Sequence, residues 1–174
     1  MIKQKDFFIK QLIAWTKYSN EGEKSMAFST IYRSIYRSFE FFQSTQVCYS
    51  EEAKHILSEI TDEKVDLLKC NWRTTVRLKS TGKNANLRNF LVFEHYTTGL
   101  EFKKELQFYY VNDKLNEKNV NQLLSKKKIA WISKDEDKEL NRLGYKQVRP
   151  DPDKAYYEAG INIIECSSVG KLIS

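Results

Sequence analysis

Apolar residues recur at three- and four-residue intervals through much of this chain, and that spacing limits its fold more than any other feature. From Lys3 to Tyr18, the residues Phe8, Leu12 and Trp15, with Ile9 and Ile13 beside them, fall on one side of a 3.6-residue helix, and Asn20 to Gly22 ends the run. Between Ser25 and Gln46 the tetrapeptide Ile-Tyr-Arg-Ser occurs twice, at 31–34 and 35–38. Phe28, Ile31, Ile35, Phe39 and Phe42 there share one face, which predicts a second, aromatic-rich helix with Arg33 and Arg37 beside it. Ser50-Glu51-Glu52 predicts a third helix to about Glu59, since a serine can cap the first turn and acids favour its positive end. Thr61-Asp62-Glu63 repeats that grammar and predicts a fourth helix to about Leu78, burying Val65, Leu68, Trp72 and Val76.

Ser80 to Asn84 is rich in turn formers and reads as a linker, residues 80–84, between a helical half, 1–79, and a half that mixes helices with strands, 85–174. Residues 86–98 carry both signals: Phe90, Val92, Phe93 and Tyr96 favour a strand, whereas Leu87, Leu91 and His95 repeat every four residues. The helix is the preferred reading. Helices are also predicted over 100–111 and 116–125, a buried strand over 129–132, and a helix opened by the capping box Ser133-x-x-Glu136 and closed by Gly144. Asp151-Pro152 starts a last helix, Gly160 ends it, and 161–165 forms a second strand that can pair with the first. The fold class expected is therefore mainly α (α+β): a helical bundle with a small two-stranded β element near the C-terminus.

A chain of 174 residues is expected to form a single domain, 1–174. With 41% hydrophobic residues, six Gly and two Pro, it falls outside the collagenous, low-complexity and disordered classes. Cys48, Cys70 and Cys166 are odd in number and far apart, so no disulfide framework or CxxC pair is expected, and a reducing cytoplasm fits best. The basic N-terminus turns apolar but is interrupted at Lys10 and Gln11, unlike a signal peptide. No apolar run approaches the roughly 20 residues of a membrane span, so no membrane partner is expected. Two histidines forty residues apart and scattered cysteines give no zinc constellation, and the glycines form no phosphate-binding loop, so neither a metal nor a cofactor is expected.

The formal charge is +6, and its distribution is more informative than its size. Between Asp66 and Glu94 there is no acidic residue, while Lys69, Arg73, Arg77, Lys79, Lys83 and Arg88 all fall there. On the predicted fourth helix, Lys69, Arg73 and Arg77 would form a cationic stripe. Such a stripe suits phosphates, because it releases counterions and arginine can bond two oxygens at once.

Beside it stands Arg88-Asn89-x5-His95. On a helix, residues seven apart project from one face. This segment resembles the Arg-x4-6-His signature of HEPN ribonucleases, in which a polar residue, often Asn, follows the arginine. The resemblance covers eight residues. It implies a metal-independent endoribonuclease on an all-helical bundle, with a site often completed across a homodimer. Arg88 would hold the scissile phosphate, His95 would transfer protons and Asn89 would orient the site. The chemistry suits these residue types, since histidine titrates near neutrality and arginine stabilises phosphate charge without titrating. The leading expectation is thus a cytoplasmic protein that interacts with nucleic acid, RNA above all. The alternative is a noncatalytic protein-interaction module, an inhibitor or regulatory subunit whose basic face docks an acidic protein.

Overall fold

The computed structural model describes residues 2–21 and 46–167. Its helices are α1 (Ile2–Glu21), α2 (Glu51–Ile60), α3 (Gly99–Val111), α4 (Glu117–Ser125), α5 (Lys134–Arg142) and α6 (Pro152–Glu158). Its strands are β1 (Gln46–Ser50), β2 (Thr75–Arg77), β3 (Asn84–Asn86), β4 (Leu91–His95), β5 (Lys128–Ser133) and β6 (Ile163–Cys166). The helix predicted over 25–46, with its Tyr32, Arg33, Tyr36 and Arg37, lies outside the described residues, apart from Gln46, which begins β1.

The expectation of a helical bundle with a minor two-stranded element is overturned. The centre of the fold is a four-stranded mixed sheet in the order β4-β5-β1-β6, with β2 and β3 forming a separate hairpin. The strands expected to pair directly, β5 and β6, are separated by β1, which runs parallel to β5 and antiparallel to β6. Strand alternation sends successive side chains to opposite faces, and both faces are covered. Val47, Tyr49, Leu91 and Trp131 pack with Ala53 and Leu57 of α2 and with Leu67, Cys70, Val76 and Leu87. Cys48, Ala130 and Ile132 face Leu140 of α5 and Ala155 and Tyr156 of α6. A third cluster joins Ile9 and Leu12 of α1 to Phe102 and Leu106 of α3 and to Val120 and Leu124 of α4.

Two predicted helices are absent, each for a local reason. Across 61–78, short polar side chains hold backbone groups that a helix would need: Asp66 accepts from the Leu68 N–H (3.1 Å), Asn71 accepts from Arg73 (2.8 Å), and the Asn71 N–H donates to the Thr74 hydroxyl (2.9 Å). A 3-10 turn at Leu67–Lys69 and strand β2 result. At 86–98, Asn86 caps a 3-10 turn by accepting from the Arg88 N–H (2.9 Å), and residues 91–95 then pair along the whole of β4 with β5. Residues 80–84, expected as a linker, form the turn of the β2–β3 hairpin up to Lys83 and open β3 at Asn84: the Leu78 N–H donates to the Lys83 carbonyl, and Gly82 takes the left-handed φ of 65° that favours glycine.

The absence of a disulfide framework is also overturned. Cys48 in β1 and Cys166 in β6 are direct cross-strand partners and are joined by a disulfide. No spacing rule identifies them, because their separation of 118 residues is bridged only by the sheet. No helix among the described residues is long and apolar enough to cross a membrane.

Candidate nucleic-acid interface

The acid-free stretch makes up most of the excursion between α2 and β4, which is fastened to the sheet by buried Leu67, Cys70, Val76 and Leu87. Val76 is the inward residue of β2, so its neighbours Thr75 and Arg77 point outward. Lys69, Arg73, Arg77, Lys79, Lys83 and Arg88 are all exposed. They do not form the expected helical stripe, since three of them now sit on a 3-10 turn, a loop and a strand.

Acids absent from this stretch of sequence return to it in space. Asp66 pairs with Lys69 (3.0 Å), and Asp62 pairs with Lys79 (2.9 Å), whose ammonium also donates to the Ser58 carbonyl (2.7 Å). Glu63 accepts from the Arg77 backbone N–H (3.0 Å), and the Arg77 Nε donates to the Gly82 carbonyl (3.1 Å). Thr61, Asp62, Glu63, Arg77 and Lys79 line an open recess of about 400 Å³ here. The Arg73 guanidinium lies 4.6 Å from the centroid of the half-buried Trp72 ring. Lys83 in the hairpin turn and Arg88 just beyond β3 are paired with no acid among the described residues.

The second group of predicted residues is not brought together. Arg88 and Asn89 are exposed on the 3-10 turn before β4, whereas half-buried His95 ends that strand. Strand rise alone separates Leu91 from His95 by about 13 Å. The shared helix face that would bring Arg88 and His95 together is not formed.

At the His95 end lies a buried polar cluster that no spacing in the sequence marks. Arg149 is 1% exposed, and each of its three guanidinium nitrogens donates a hydrogen bond. Nε donates to the Tyr145 carbonyl (2.6 Å), Nη1 to the His95 carbonyl (2.7 Å) and Nη2 to Glu94 Oε1 (2.5 Å), while the cation lies over the Tyr156 ring. A cleft of about 230 Å³ adjoins it, lined by Glu101 and Glu105 as well as by Lys126 and Lys127. Its charges are mixed, and Glu101 is itself paired with Lys104 (3.1 Å), so it favours no one ligand charge. The run Lys126-Lys127-Lys128 divides its work: Lys126 is the C-cap of α4, Lys127 is buried and Lys128 opens β5 with its ammonium over Tyr96.

Comparison of the chain with protein-family models, curated proteins and solved structures gives no match.

Proposed function

We propose that this protein binds single-stranded nucleic acid, RNA in preference, through the exposed basic excursion between α2 and β4. The observation that carries the reading is the exposure of Lys69, Arg73, Arg77, Lys79, Lys83 and Arg88, the six cations of the acid-free part of that excursion. The ion pairs there do not oppose it, because exposed pairs contribute only about 0–1 kcal/mol and exchange readily for phosphate. Trp72 with Arg73 supplies an aromatic and guanidinium surface on which an unpaired base can stack, which favours single strands over duplex. Binding is better supported than cleavage, since Arg88 and His95 lie at opposite ends of β4 and the HEPN-like site would need them together. A ribonucleic acid partner fits a cytoplasmic location.

Anisotropy of a labelled single-stranded RNA, titrated at several salt concentrations, tests this. Affinity should fall log-linearly with salt, and replacing Arg73, Lys83 and Arg88 together by glutamate should abolish binding. His95→Ala should bind as wild type. Absence of binding by the wild type at low salt, or unchanged binding by the triple variant, overturns the proposal.

A further inference from the structure

Strand β6 is the edge of the sheet, and it contributes little to the core: Ile163 is half-buried, while Ile164, Glu165 and Cys166 are exposed. Its ladder with β1 is short and breaks register between Tyr49 and Ser50. Polar contacts supplement it: Tyr49 donates to Glu165 (2.6 Å), the Ser167 N–H to the Val47 carbonyl (2.7 Å) and the Glu51 N–H to the Asn162 carbonyl (2.9 Å). Such bonds contribute about 1 kcal/mol each, because water replaces them when the strand leaves. The Cys48–Cys166 disulfide is the one covalent tie. Strand β1, by contrast, also pairs with β5 on its other side and packs Val47 and Tyr49 into a buried cluster that β6 does not join.

We propose that this disulfide is a redox-operated latch: a dithiol reductant opens it, β6 peels away, and the edge of β1 is bared while the rest of the sheet stays folded. Cys166 is the exposed partner and Cys48 the buried one, so the reductant's thiolate attacks the sulfur of Cys166. The protein S–S bond breaks as a mixed disulfide forms, and Cys48 leaves as a thiolate that takes a proton. The second thiol of the reductant then displaces Cys166, which is protonated in turn. Two electrons and two protons pass to the protein, and the reductant departs as its own disulfide. Cys70 does not compete, because it lies buried on the opposite face of the sheet, where burial pushes its thiol up. A reversible bond of this kind suits a reducing compartment, where protein disulfides are mostly transient.

Hydrogen exchange read by mass spectrometry on the oxidised protein, the dithiothreitol-reduced protein and the Cys48→Ser/Cys166→Ser variant tests the latch. Reduction should speed exchange at least tenfold in the peptide spanning 163–167, leave 91–95 and 128–133 protected, and restore protection on reoxidation. The double variant should match the reduced protein. If it fails to fold, the reduced wild type alone decides. Three outcomes overturn the proposal: equal protection of 163–167 in both redox states, loss of protection through β4 and β5 as well, or alkylation of Cys48 and Cys166 without prior reduction.

Discussion

Arg149 and Tyr156 touch, yet truncating them should have opposite consequences. Arg149 satisfies two carbonyls and a carboxylate in an interior position, so Arg149→Ala leaves Glu94 without its cation and should cost about 3–5 kcal/mol by urea denaturation. Arg149→Lys keeps the charge but not the three-way planar fork, and should recover only part of that loss. Tyr156 is equally buried, but its hydroxyl has no hydrogen-bond partner among the described residues, and burial holds its pKa well above the usual tyrosine value. Removing an unsatisfied polar atom relieves a desolvation cost, so Tyr156→Phe should leave stability unchanged or raise it by up to about 1 kcal/mol. A large loss in that variant would show that the hydroxyl has a partner. In sequence both residues are visible, but the carbonyls of Tyr145 and His95 that define the arginine's role come from separate segments.

Among elements, the clearest coupling joins the carboxyl ends of the two parallel strands. Ser50 and Ser133 each end a strand and cap the following helix, and Glu136 accepts from both the Ser133 N–H (2.6 Å) and the Ser50 hydroxyl (2.7 Å). The box within Ser133 to Glu136 was legible from spacing, whereas its bond to Ser50 was not, because β1 had no place in a helical reading. Glu136→Ala should therefore cost about 1–2 kcal/mol in thermal or urea denaturation, more than Ser133→Ala if the second helix start depends on it. Tyr49 and Glu165 couple β1 to β6 in another way. Their hydrogen bond, with burial, pushes the Tyr49 pKa up to about 12, so folding favours the neutral phenol. That contribution is complete below about pH 10, the ordinary tyrosine value, and is lost as pH rises through about 12. The urea midpoint of the wild type should fall more steeply over that window than that of Tyr49→Phe; parallel curves would refute the coupling.

For the whole molecule, the separation of binding surface from core is the useful consequence. Lys83 and Arg88 are exposed and paired with no acid among the described residues, so glutamate at both positions should shift unfolding by no more than about 0.5 kcal/mol while weakening RNA binding. A matching loss of stability would mean that the charges serve the fold. The sequence by itself determined the helices α1 to α6, the caps at Ser50, Ser133 and Asp151, the strands β5 and β6 and the clustering of basic residues. These are local properties, set by apolar period, cap chemistry and composition within a few residues. Only the tertiary structure decided that Leu91 to His95 joins a sheet, that Lys69, Arg73 and Arg77 leave the helical stripe, that Asp62 folds back against Lys79, and that Cys48 meets Cys166. Each depends on partners far along the chain or on side-chain bonds that divert the backbone from helix, and neither leaves a periodic trace in the residues themselves.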